Sequence, residues 1–184
     1  MLRSFCCVVF SFLVSAVYCQ TPQPEFIALN GSRNYSDIRT ILPDSKNFLW
    51  FGCNQGLIRF DGSNYTRFAP DSSSKSISSG RITALHEDAK GIIWIGTADK
   101  GLFYYSYSTD KFTSIKNTTN FFIDDIQDFK TQLVVTANKG VYVYHSEKKE
   151  LTPLPVTATF KKNNITAVKC IADVKNNAAL WILS

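Results

Sequence analysis

The three tryptophans of this chain share one local setting, and that repetition limits what the chain can fold into more than any other feature. They stand in Leu49-Trp50-Phe51-Gly52, Ile93-Trp94-Ile95-Gly96 and Leu180-Trp181-Ile182. Between the second and third, Leu133-Val134-Val135-Thr136 takes the same place with Val134 for tryptophan, so the landmarks fall 44, 40 and 47 residues apart. A period in the low forties is that of a stacked array in which each unit is one small antiparallel sheet.

Each apolar core is preceded by a second element carrying a spaced pair, Ile38 and Ile41, Ile82 and Leu85, Ile123 and Ile126, or Ile165 and Val168. An aspartate follows each pair, at Asp44, Asp88, Asp128 and Asp173. A lysine stands two residues further on, at Lys46, Lys90, Lys130 and Lys175. An aspartate can accept a hydrogen bond from the backbone two residues ahead, so these positions are expected to be structural turn aspartates. Downstream, Gly56, Gly101 and Gly140 each precede an apolar residue that opens a third run, and are expected to supply a positive φ. Fourth runs follow near Tyr65 to Phe68, Lys111 to Ile115 and Glu150 to Leu154.

One repeat is therefore four short antiparallel strands, the second apolar on both faces, as befits a strand sandwiched between neighbouring sheets. The composition agrees: 14 Phe and 8 Tyr against one Met, within a chain that is 45% hydrophobic, suit half-buried strands. The fold class expected is all-β, a partial β-propeller of about three and a half four-stranded blades preceded by a signal peptide. A β-sandwich also uses short strands, but it does not require the same Trp and Gly landmarks every forty-odd residues.

The N-terminus departs from this pattern. Arg3 supplies a short positive region, and Phe5 to Val17 is an uncharged apolar stretch of thirteen residues, closed by Cys19, Gln20, Pro22 and Pro24. That length is right for a secretory leader and short of the roughly twenty residues a membrane-spanning helix needs. Cleavage is expected near Cys19 and Gln20, and export beyond the cytoplasmic membrane with it. Lipidation of Cys19 is disfavoured by the bulky Tyr18 before it. The organisation that follows is a signal peptide over 1–19 and an N-terminal segment over 20–37, in which Phe26 to Leu29 are a candidate ring-closing strand. Blade repeats follow over 38–81, 82–122 and 123–164, then a shortened fourth over 165–184, which suggests a truncated product.

Only Cys53 and Cys170 would remain after the leader is removed, too few for a disulfide framework, and buried free thiols are expected. The net charge of +5 falls to +4 without Arg3, and the lysines are dispersed, so nothing indicates a nucleic-acid partner. Sequons stand at Asn30, Asn34, Asn64, Asn117 and Asn164. His86 precedes Glu87 and Asp88, but it occupies the repeat position of Pro43 and Gln127, with no helical pattern around it. His145 ends an aromatic strand in the same manner. Neither histidine has Cys, Asp or Glu at ligand spacing, so no metal site, no cofactor and no catalytic constellation is expected.

The spaced apolar pair, the aspartate, then Ile93-Trp94-Ile95-Gly96-Thr97 and Gly101-Leu102 with an aromatic strand, resembles the two-component regulator propeller repeat. Ile82 to Tyr105 carries the resemblance best, Leu49 to Asp61 is a good second copy, and the whole resemblance covers about residues 25 to 184. It implies the extracytoplasmic sensor region of a hybrid two-component regulator from Bacteroidetes-like bacteria. In that family propellers precede a further β domain, an inner-membrane anchor, a histidine kinase and often a DNA-binding module. Kinase activity would then belong to a full-length parent, whose remaining blades and kinase region would be this chain's partners, and the ligand would be an oligosaccharide.

Residues in the turn before each repeat glycine, Asn54, Gln55, Asp99, Lys100, Asn138 and Lys139, face the ligand question first, although hairpin-turn duty accounts for all of them. No ligand-binding residue is therefore assigned. Two rival functions remain: a structural or protein-docking exported propeller, and a propeller glycosidase or lyase. The enzyme would require converging carboxylates, where the repeat instead places its acids at turns.

Overall fold

The computed structural model describes residues 37–70, 76–129, 131–138 and 140–155, and the backbone of two further strands over 169–172 and 180–183. The leader, the candidate ring-closing strand and the pair Ile165 and Val168 lie outside the described residues.

Among the described residues there are fourteen strands. The first sheet has β1 (Ile38–Pro43), β2 (Leu49–Cys53), β3 (Gly56–Phe60) and β4 (Tyr65–Phe68) in the order β1-β2-β3-β4. The second repeats it with β5 (Ile82–Glu87), β6 (Ile93–Thr97), β7 (Leu102–Ser106) and β8 (Lys111–Ser114), and the third with β9 (Ile123–Phe129), β10 (Gln132–Ala137), β11 (Gly140–His145) and β12 (Glu150–Pro153). A two-stranded sheet pairs β13 (Lys169–Ala172) with β14 (Leu180–Leu183). Every pairing within a sheet is antiparallel to its sequence neighbour, so each sheet is a meander. These are three four-stranded propeller blades and half of a fourth, as the repeat predicts.

The blades pack face to face through their inner strands, β5 against β1 and β9 against β5. The second strand of each four-stranded blade is buried nearly throughout, and completely so in β6. Repeat glycines make this close approach feasible. A Cβ on Gly96 would stand 2.6 Å from Ile123 Cγ2, and one on Gly52 would stand 2.7 Å from Ile82 Cγ2, so the first isoleucines of blades 2 and 3 each seat on a glycine of the blade before. In β1 the corresponding isoleucines are exposed, Ile38 by 42% and Ile41 by 56%.

The expected left-handed glycines are there: Gly56, Gly101 and Gly140 have φ of 122°, 78° and 132°. At Gly101 a side chain would also collide with Thr118, whose hydroxyl binds the Leu102 amide at 3.1 Å.

Two sequence expectations need correction. Asp128 does not occupy the turn position of Asp44 and Asp88. It lies inside β9, paired with Leu133, and the ladder continues to Phe129 and Gln132, leaving a two-residue loop. The reason is one missing residue: Asp128 follows Ile126 by two positions, whereas Asp44 and Asp88 follow Ile41 and Leu85 by three. Asp128 thus shares the register of Pro43 and Glu87, which pair with Leu49 and Ile93. Likewise His86, paired with Trp94, matches Gln127 as expected but Leu42 rather than Pro43. Cys53 is buried and its thiol free, while the side chain of Cys170 is outside the described residues.

Candidate functional site

In a four-stranded meander the turn between the second and third strands lies at one end, and the turns joining the first to the second and the third to the fourth lie at the other. The six sequence-selected loop residues belong to the first of these ends. There Asn54 accepts a hydrogen bond from Arg39 Nε at 2.6 Å and donates to Asp37 at 3.2 Å. The Gln55 carbonyl accepts from Arg67, and Asp99 accepts from the Ser79 hydroxyl at 2.6 Å. The Lys100 amide donates to Thr97 Oγ1, and Asn138 Oδ1 accepts from the Phe122 amide. Lys139 is outside the described residues. These bonds tie the turns to neighbouring side chains and backbone.

The opposite end is built differently. Asp44 Oδ1 accepts the amides of Lys46 and Phe48, both at 2.9 Å, and Asp88 Oδ1 accepts those of Lys90 and Ile92 at 2.9 and 3.0 Å. The other oxygen of each carboxylate accepts the indole N–H of the repeat tryptophan, Trp50 at 2.7 Å and Trp94 at 2.9 Å. A buried indole needs an acceptor, and the turn aspartate supplies it. The separation of six residues between Asp and Trp in the first two repeats was visible in the sequence, but its meaning as a side-chain pair was not drawn from it.

These aspartates also line the seams between blades. At the seam of blades 1 and 2, Tyr107 from the β7–β8 hairpin donates its hydroxyl to Asp44 Oδ2. Its ring stacks on Phe48 with centroids 6.0 Å apart, meets Trp50 edge-on, and carries the Lys46 ammonium 5.0 Å from its centroid. Ser45 adds two donors, its amide and hydroxyl, to the Glu87 carboxylate at 2.7 and 2.5 Å. Burial opposes charge on Asp44, but the bonds from Tyr107, Trp50 and the two amides outweigh it and hold the carboxyl below its usual range. Burial and the same carboxylate push the Tyr107 phenol well up, so it stays a donor.

At the seam of blades 2 and 3 the residue corresponding to Tyr107 is Ser146, since His145 and Glu150 pair as Ser106 and Lys111 do. A cleft of about 160 Å³ opens there, bordered by Asp88, Lys90, Trp94, Asp128, Tyr144 and Ser146 among others. Trp94 lies between Tyr104 and Tyr144, at 5.5 and 4.6 Å. His86 Nε2 is 3.2 Å from Asp128 Oδ2, an ion-pair distance without hydrogen-bond alignment, so this histidine bridges blades and is not a mere strand end. Among the described residues no group of three or more His, Cys, Asp or Glu could hold a metal ion.

Comparison with known proteins agrees with the repeat. Residues 76–99, which include Ile82, Leu85, Asp88 and Ile93-Trp94-Ile95-Gly96, match the family described as two component regulator propeller. No curated protein matches the chain. Among solved structures it is similar to the extracellular domain of a protein described as the hybrid two-component system BT3049 from B. thetaiotaomicron, at 20% identity and a TM-score of 0.67, over 80% of this chain and 22% of that one. It is also similar to the extracellular domain of BT4673 from the same organism, described as a one-component system, at 19% identity and a TM-score of 0.63, over 82% of this chain and 19% of that one. The chain thus spans about a fifth of the length of these structures.

Proposed function

We propose that this chain, a propeller segment carrying the two-component regulator repeat, is part of the extracytoplasmic sensor region of a two-component signalling protein that responds to glycan fragments. The observation that carries the reading is the match over residues 76–99, set in a blade whose Asp88–Trp94 bond recurs as Asp44–Trp50 in the blade before. The extracellular setting of the similar structures and the leader-like N-terminus support a location outside the cytoplasmic membrane. Exposure of Ile38 and Ile41, whose counterparts in the next two blades seat on a preceding blade, favours further blades as neighbours in a larger parent.

The role is binding rather than catalysis. Asp44, Asp61 and Asp88 are committed to turn amides, and two of them to an indole, so they are poorly placed to act as a general acid and a nucleophile. The test is transcriptional induction by a panel of oligosaccharides in a host carrying the parent gene. Trp50→Ala, in the genomic copy, is expected to abolish induction while the kinase region is still produced. Full induction by every oligosaccharide with a disrupted blade, or induction by none with the intact protein, would overturn the reading. Mass spectrometry of the exported protein is expected to show a mature terminus near Gln20.

A further inference from the structure

The two seams use the same parts with one omission. Around Tyr107 stand Asp44, Trp50 and Lys46 of blade 1, and at the same repeat positions blade 2 offers Asp88, Trp94 and Lys90 to the cleft. Asp88 keeps its bond from the Trp94 indole, as Asp44 keeps that from Trp50. What blade 3 does not supply is the phenol, because its hairpin carries the exposed Ser146 where blade 2 carries Tyr107.

We propose that the cleft between blades 2 and 3 is a binding site for a six-membered ring bearing a hydroxyl donor, which takes the place that Tyr107 fills in the neighbouring seam. The volume is suitable: about 160 Å³ is close to the roughly 150 Å³ of an engineered cavity that holds benzene. The walls have the required chemistry. Asp88 accepts the hydroxyl, as Asp44 accepts that of Tyr107. Trp94 and Tyr144 offer aromatic surface to the ring, and Lys90 stands where Lys46 covers the Tyr107 ring. Asp128, drawn to the cleft by the shortened β9–β10 loop and 3.2 Å from His86 Nε2, borders it with a second carboxylate, whereas Glu87, at that register of the first seam, is bonded to Ser45. A second acceptor suits a ring with more than one hydroxyl.

Such a ring can come from a phenol or from a sugar, and the test separates them. The full chain is titrated with 4-methylphenol, which is the tyrosine side chain as a free molecule, and with methyl β-glucopyranoside, using ligand-observed NMR. Saturable binding of at least one probe is expected, weakened tenfold or more by Ser146→Tyr, which supplies the missing ring, and weakened severalfold by Asp88→Asn. Binding of 4-methylphenol alone assigns the phenolic source, and of the glucoside alone the sugar. Should Ser146→Tyr fail to fold, Ser146→Leu fills the cleft without a donor and is expected to have the same effect. Saturable binding by neither probe, or binding indifferent to the fillings at position 146, would overturn the proposal. This site rests on the seam comparison and not on the sensing role, so loss of induction in cells and loss of binding in solution are separate failures.

Discussion

Where blade 1 meets blade 2, a tyrosine from the outer hairpin closes the seam over an aspartate and a tryptophan; where blade 2 meets blade 3, the same hairpin position is Ser146 and the seam stays open. The contrast extends into the blades themselves. Blades 1 and 2 keep both partners of the Asp–Trp bond, whereas blade 3 has lost both, with Val134 at the tryptophan position and Asp128 drawn into the β9 ladder. An indole without its acceptor would bury an unsatisfied donor, and a turn aspartate without the indole keeps only its backbone bonds. The pair therefore behaves as one unit, and its loss in blade 3 is accompanied by a tighter, two-residue hairpin.

The largest difference between the blades is expected from truncating that unit. Trp50 is fully buried, touches Phe68, Tyr105 and Tyr107, and holds the Asp44 turn. Trp50→Ala should cost about 4 kcal/mol, and Val134→Ala, which removes less volume and no hydrogen bond, about 2 kcal/mol or less. Urea melts of both variants check the ranking. Equal losses would mean that the Asp–Trp unit adds nothing beyond volume.

Next in size is the repeat glycine. Gly96→Ala should destabilise by roughly 1–3 kcal/mol, because its new methyl would press on Ile123 Cγ2 at 2.6 Å and Ile123 Cβ at 2.8 Å, and both belong to a packed blade interface. Position 136 in blade 3, which shares this register, already holds a buried threonine, so Thr136→Ala should be close to neutral. Thermal unfolding of the two variants gives the comparison directly.

A smaller contrast separates the two turn aspartates. Asp44 accepts from two amides, an indole and a phenol, and Asp88 from two amides and an indole. Asp44→Asn should lose on the order of 2 kcal/mol, and Asp88→Asn on the order of 1 kcal/mol, since charge-assisted bonds weaken and one amide hydrogen must face a donor. If adding Tyr107→Phe to Asp44→Asn brings no further loss, the phenol acts through the carboxylate. Full additivity would mean that the hydroxyl contributes independently of the Asp44 carboxylate.

Much of this architecture was legible because the repeat samples the same physics several times. The recurring spacing exposed the strands, the left-handed glycines at 56, 101 and 140, and the backbone bonds of Asp44 and Asp88. The register of blade 3 was hidden by a coincidence: Asp128 keeps the six-residue distance to Val134, and only its shortened distance from Ile126 signals that the ladder runs on. The seam was illegible for a different reason. Tyr107 and Asp44 are 63 residues apart, and a contact between blades leaves no trace in the pattern of either one. The significance of Ser146 becomes visible only when the neighbouring seam is seen filled.

The finest contrast lies at the inner strands, where β1, β5 and β9 each bulge at one residue, Arg39, Thr83 and Asp124 in turn. Only blade 3 places a carboxylate there. Burial, with the neighbouring charge of Asp125, pushes the Asp124 carboxyl up to about 6, and its Oδ2 is buried without a hydrogen-bond partner. A carboxyl raised above its unfolded value of about 3.9 binds protons more tightly in the folded chain, so stability should rise as pH falls from about 6 toward 4. Asp44 has the opposite sign, since its carboxyl is held low, and its contribution is lost only below about pH 4, outside that window. Acidification from pH 7 to pH 5 should therefore add on the order of 1 kcal/mol through Asp124, a figure reduced for its partial contact with solvent. Asp124→Asn should be more stable than the parent at pH 7 and should flatten this slope, as chemical denaturation at the two pH values would reveal. A slope unchanged by the substitution would assign it to other groups and leave the blade 3 bulge electrostatically equivalent to the bulges at Arg39 and Thr83.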